Sequence, residues 1–395
     1  MGKLERSPEF DNMKDEALIS TFGMGPMFHN YGTFLQHYCL RKVLWGLGIK
    51  AYRFSTNEKE PTLYWYCKRL VWIVFLVPYL YVRRRHGIWS IIRNIASDLF
   101  RQCLFQKFYH KHIGDFEEDY SVDNDTILIV GSDQVLRDDP RVWFSEIQIP
   151  CKRIVYAGST DWTQYADDDK WKALVHDNLP KFQFVSVREK VGIDIFRSII
   201  PDVVVKHVVD PVMLAERKVL DSLCKQKSVF KNPTLFCYLV NIDNESDLHL
   251  DLLCNLSSAL NCDLKICGVQ GTSGFVPMKY HVVLGPDAYI RAIVDSQYVI
   301  TNSFHGLVLS ILYHKPFLFI EQRKTIGGDQ NLRQNELLAT FGLIQHKITF
   351  SQIEDVDSSI CLLNAEMDGV AIDKRASELR EASVDWLRTA IGDDK

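Results

Sequence analysis

No Cys-x-x-Cys pair, no His-Glu-x-x-His motif and no Cys/His cluster at metal-ligand spacing occurs in the 395 residues, so nothing points to a bound metal. The ten cysteines are scattered, several inside apolar runs such as LFCYLV (residues 235–240), where Cys acts as a small hydrophobe. Reduced thiols in a cytosolic protein are expected. Nor is there a large excess of one charge. Forty-six Lys plus Arg against 50 Asp plus Glu leave a net charge of −4, which gives no global attraction for a polyanion and argues against nucleic acid as a partner. The uncharged run Leu70–Val82 stops at 13 residues, short of the ~20 that a membrane span requires. The opening MGKLERSPEF lacks the apolar core of a secretory signal and is expected to be a remnant ahead of a natural start at Met13.

Apolar residues are plentiful. They make up 47% of the chain, with 22 Phe, 16 Tyr and 8 Trp, enough to build cores without staples, and the length favours about two domains. Ala17–Phe22 reads as a strand that ends in the glycine-rich loop GMGPMFHNYG, followed by a helix over residues 33–48. Further strands are expected at Thr126–Val130, Arg153–Ala157, Phe184–Val187 and Val203–Val209, spaced to admit helices, which predicts a mainly parallel α/β sheet. After a polar stretch the pattern returns with strands at Thr234–Val240, Leu264–Val269 and Tyr298–Thr301, helices at Leu248–Leu260 and Lys374–Ile391, and a strand after Pro316. The reading is therefore an N-terminal Rossmann-like domain over residues 14–212 and a C-terminal one over 213–395 that includes the last helix.

Residues 61–114 break this order. They hold nine Lys or Arg against one Asp, a charge of +8 in a chain whose total is −4. One expectation is a buried helix pair with a solvated basic rim. The sharper one is a peripheral patch whose aromatics enter the headgroup layer of an anionic membrane while the arginines meet phosphates.

Ligands of doubly wound sheets bind beyond the carboxyl ends of strands, at helix N-termini. Asn30, Tyr31 and Gly32 follow the first strand, and Ser132, Asp133 and Gln134 follow TILIVG. Arg188 ends another strand, its fork suited to a carboxylate or phosphate unless a neighbouring Asp or Glu takes it. Asp210, before Pro211, is either catalytic or a turn former. The richest segment is YVITNSFHGLVLSILYHKPFLFI, where Asn302, Ser303 and His305 stand at a strand-to-helix junction and His305 can move a proton near neutral pH. Downstream, Arg323 and Arg333 flank a glycine-containing loop suited to an anionic substrate.

In order and spacing, FHNYGTFLQHY (28–38), GSDQV (131–135), VYAGS (155–159), SVREKVG (186–192), DPVML (210–214) and ITNSFHGLVLSILYHKPF (300–317) resemble the polysaccharide pyruvyl transferase family. The resemblance runs from about residue 18 to 345. It implies a GT-B-like fold of two Rossmann-like domains facing across a cleft. It also implies work on cell-surface polysaccharide, typically ketal pyruvate transfer from phosphoenolpyruvate to a sugar, with no further cofactor. By resemblance Arg188 binds the donor, His305 is the general acid or steadies the leaving phosphate, and Asp133 and Asn30 face the acceptor or shape the cleft.

One position departs from the pattern. Characterised members resemble one another in an Arg-Leu-His triplet whose arginine helps hold the donor, and this chain reads Ser303, Phe304, His305 there. Either Arg323 or Arg333 takes over as second anion anchor, or the donor is a nucleotide sugar and the chain a glycosyltransferase on the same scaffold. A non-catalytic partner of a polysaccharide assembly is the third reading. The basic window fits an enzyme kept at the cytoplasmic membrane face by a lipid-linked acceptor.

Overall fold

The computed structural model describes residues 15–20, 30–53, 88–113, 126–133, 135–136, 151–160, 167–225, 227–268, 273–322 and 331–392. Strands β1 (Asp15–Ser20), β2 (Ile49–Arg53), β3 (Ile127–Asp133), β4 (Lys152–Gly158), β5 (Phe184–Val187) and β6 (Val205–His207) form one parallel sheet in the order β2-β1-β3-β4-β5-β6. A second parallel sheet comprises β7 (Thr234–Tyr238), β8 (Asp263–Cys267), β9 (His281–Val282), β10 (Tyr298–Thr301), β11 (Phe317–Ile320) and β12 (Lys347–Ile348). Its order, β12-β11-β10-β7-β8-β9, reverses between β7 and β10, the doubly wound arrangement of dinucleotide-binding sheets.

The central strands are apolar almost throughout because both faces of each sheet are covered. In β3, Ile127 and Ile129 face one core while Leu128 and Val130 face another. In the second sheet, Phe236, Val299, Phe317 and Phe319 likewise face away from Leu235, Ile300, Leu318 and Ile320. One of these clusters is continuous between the domains, with Ala17, Ile129 and Tyr156 from the first sheet and Phe236, Val299 and Phe319 from the second. Burying each such side chain contributes about 1.5–3 kcal/mol, so the domain junction is itself core.

Three helices fix the junction. Tyr31–Gly46 begins at Asn30, whose side chain accepts from the Gly32 amide at 2.9 Å and so caps the helix. Phe304–Leu312 follows β10 directly, and residues Phe304 to Ile311 are all buried, as an apolar helix demands. The long C-terminal helix Gly369–Ile391 returns to the first domain: Ser383 Oγ accepts from the Val209 amide at 3.0 Å, and the Trp386 ring lies 6.1 Å from Tyr156 and 6.4 Å from Phe184.

Residues 61–87 and 114 of the basic window lie outside the described residues; the remainder is mainly the helix Ile88–Phe108. It docks inward more than a solvated basic rim would. Arg93 donates to the Gly274 carbonyl, and the fully buried Arg101 donates to Gly268 O and Ser273 Oγ. Phe105 packs 5.0 Å from Tyr31 and 4.9 Å from Phe34. Its outer side keeps Ile92, Phe100 and Lys107 exposed. No helix among the described residues is long and apolar enough to cross a membrane.

Candidate functional site

The ends of β5, β6 and β10 bring three polar residues together. Arg188 follows β5, Asp210 stands three residues beyond β6 and caps the short helix Pro211–Leu214, and His305 opens the helix after β10. Asp210 is almost fully buried. Its Oδ1 accepts from the Val212 amide at 2.9 Å, and its Oδ2 accepts from Arg188 Nη1 at 2.9 Å and from Gln36 Nε2 at 2.6 Å. His305 Nε2 lies 3.6 Å from the same Oδ2. Burial alone raises the Asp210 pKa, but His305, then Arg188 and the Val212 amide, more than offset it and hold the carboxyl well below its ordinary range. With Nε2 facing this fixed anion, the imidazole ring has a set orientation.

The other side of the imidazole rests against the first domain. A Cβ on Gly32 would fall 2.0 Å from His305 Nδ1, so glycine is what lets this helix N-terminus reach the ring. The His305 side chain is only 7% exposed. The two domains thus meet at the histidine.

Arg188 is the centre of a buried ion network. Besides Asp210, it donates through Nε to Glu189 at 2.8 Å, and Glu189 also accepts from Ser159 Oγ at 3.0 Å and from the Thr160 amide at 2.7 Å. This is the neighbouring-carboxylate arrangement left open by the sequence. The guanidinium also lies 4.3 Å from the Phe304 ring centre. Arg333 reaches the same ring from the helix Leu332–Thr340, at 5.6 Å. Arg188, Asp210, Phe304 and Arg333 line a cavity of about 40 Å³, together with His207 and Glu336, which lie 3.6 Å apart. Burial lowers the His207 pKa and raises that of Glu336, so both are pushed towards their neutral forms and their contact is weaker than a full ion pair.

The other sequence candidates fall elsewhere. Tyr31 points into the shared core, stacked 4.2 Å from Tyr289, with its hydroxyl donating to Leu284 O at 2.9 Å. Asn30 is a helix cap. Asn302 is a staple: its Oδ1 accepts from the Val240 amide at 2.7 Å and its Nδ2 donates to Val240 O at 2.8 Å. Ser303 is the N-cap residue ahead of His305, and its amide donates to Thr301 Oγ1 at 3.1 Å. Ser132 is buried at the end of β3. The Asp133 side chain, Gln134 and Arg323 lie outside the described residues. Glu189 and Gln36 were not picked out from sequence. A carboxylate beside Arg188 is visible there, but a glutamine inside an apolar helix gives no sign of its partner.

Fold and site define a two-domain, GT-B-like α/β protein with a histidine–carboxylate pair where its domains join. Residues 30–323, well over half of the chain, match the family described as polysaccharide pyruvyl transferase, and the chain belongs to that family, a family of transferase enzymes. No curated protein matches it. Among solved structures it is similar to the spinosyn rhamnosyltransferase SpnG (11% identity, 95% of this chain and 99% of that one, TM-score 0.44). It is also similar to the UDP-GlcNAc 2-epimerase of Methanocaldococcus jannaschii, in complex with UDP-GlcNAc and UDP (10% identity, 93% and 99% covered, TM-score 0.49).

Proposed function

We propose that the chain transfers pyruvate from phosphoenolpyruvate to a pair of hydroxyls on one sugar of a lipid-linked, cell-surface glycan, forming a ketal. The observation that carries this reading is the His305–Asp210 contact, held between the two domains inside the span that matches the family. The reaction needs an acid, because the methylene carbon of phosphoenolpyruvate must take a proton before C2 acquires oxocarbenium character. His305, oriented by Asp210, supplies it. A sugar hydroxyl adds to C2, phosphate leaves, and the second hydroxyl closes the ring. Of the two hydroxyl protons released, one balances the new methyl group and the other leaves with phosphate.

The donor carries a carboxylate and a phosphate, so two cations suit it. Arg188 and Arg333, which approach Phe304 from the two domains, are the proposed pair, with Arg333 standing in for the arginine that Ser303 replaces. Asp133 is kept as an acceptor-side residue. The test is phosphoenolpyruvate-dependent release of phosphate with a lipid-linked glycan extract, together with a ketal methyl singlet in the proton NMR spectrum of the product. Transfer of a sugar from a nucleotide sugar, without phosphate release from phosphoenolpyruvate, would overturn it.

We infer further that the enzyme works peripherally at the cytoplasmic face of the membrane. Support comes from the +8 window and from the outer side of its helix, where Ile92 is 43% and Phe100 57% exposed.

A further inference from the structure

Beyond the carboxyl ends of β7, β10 and β11 lies a groove of about 110 Å³ that the histidine site does not use. Topology explains its position, because the strand order reverses between β7 and β10, and the crevice outside the strand ends at such a reversal is where doubly wound sheets take ligands. Its floor consists of residues that follow the three strands. Asn302 is tied to Val240 by the two hydrogen bonds described above, and Gln322 donates to Asn302 O at 2.6 Å and accepts from Asn241 Nδ2 at 3.1 Å. The floor is therefore preformed.

The walls carry two chemistries. His249 and Phe350, both half-buried, stack with ring centres 4.3 Å apart at 26°. Around them stand the carboxylates of Asp243, Asp247 and Glu321; Glu321 is paired with Lys347 at 3.1 Å, and none of the described lining residues is itself Lys or Arg. With Asp243 and Asp247 beside the one paired carboxylate, the described lining stays net acidic and disfavours a phosphate or a carboxylate. It suits a neutral ring whose C–H face packs on an aromatic surface while its hydroxyls donate to carboxylates.

We propose that this groove is a subsite for an uncharged, hydroxyl-rich pyranose of the acceptor. Asn302, in the groove's floor, stands three residues before His305 in the chain, so the two sites share the segment that follows β10 and their backbones are at most ~11 Å apart there. The proposal deepens the pyruvyl-transfer reading and rests on it for calling the ring an acceptor.

Saturation-transfer NMR on the full chain tests it, with methyl α-galactopyranoside and methyl β-glucopyranoside as probes and uridine as a nucleoside control. Phosphoenolpyruvate takes no part, so failure here leaves the donor reading standing. At least one glycoside is expected to receive saturation, with the signal reduced at least five-fold in Phe350→Ala and in Asp243→Ala. Asp243 is exposed, so its replacement keeps the fold even where that of Phe350 does not. No saturation of either glycoside, saturation of uridine alone, or a glycoside signal unchanged in Asp243→Ala and in any folded Phe350→Ala would overturn it.

Discussion

His305 Nε2 of the second domain lies 3.6 Å from Asp210 Oδ2, the same oxygen that accepts from Arg188 and Gln36. One carboxylate therefore orients the proposed acid and neutralises the proposed donor-binding arginine.

Replacing Asp210 with Asn leaves Arg188 with a buried, partly unpaired charge, a change that typically costs about 3–5 kcal/mol. A lower denaturant midpoint is expected, together with a loss of activity larger than the loss of stability explains. The pH dependence has a definite sign. Because the folded-state pKa of Asp210 is depressed, its contribution is fully present above the ordinary carboxylate range and disappears as pH falls below about 4 towards the folded value. Wild type should therefore lose stability more steeply than Asp210→Asn between about pH 4 and pH 2. Parallel curves would show that the Asp210 pKa is the same in the folded and unfolded chains, with no depression in the native state.

Gly32→Ala places a methyl group against His305 Nδ1. Overpacking of this kind costs about 1–3 kcal/mol, and the ring or the helix must shift. If contact with the imidazole is the cause, His305→Ala should relieve most of that cost. A double-mutant cycle on unfolding free energies measures the coupling, and additive effects would place the strain elsewhere.

His281, on the edge strand β9, has its pKa lowered to about 4 by burial and by the nearby Arg101 and Arg93. Its unfolded value is near 6.5, so the unfolded chain binds the extra proton first, and stability should fall as pH drops from about 6.5 to 4. The thermal midpoint of His281→Gln, followed over that range, should vary less than that of wild type.

Much of the fold is legible in sequence where both faces of a strand are buried. β5 and β10 read directly as the apolar runs Phe184–Val187 and Tyr298–Thr301. What escapes is at the sheet margins: β2, IKAYR, alternates apolar with basic residues, and β9 and β12 are two residues long. All three are edge strands, which lack a neighbour on one side and so lack the continuous apolar signature. His305 is legible from its place after an apolar strand. Its pairing with Asp210 is not, because 95 residues separate them and only the packing of two sheets on a common core brings them together.

Membrane association has its own test. Sedimentation with anionic vesicles should pellet the protein at low salt and release it at high salt, and Phe100→Asp, at a side chain 57% exposed, should weaken pelleting at both. Absence of pelleting at low salt would exclude the peripheral patch.

The most direct test of pyruvyl transfer is thermal unfolding with phosphoenolpyruvate set against a panel of nucleotide sugars, since it requires no knowledge of the acceptor. A ligand present at 100 times its dissociation constant adds ~2.7 kcal/mol to the native state. Stabilisation by phosphoenolpyruvate that is lost in Arg333→Ala is the expected result. Stabilisation by a nucleotide sugar, with none from phosphoenolpyruvate, would contradict it.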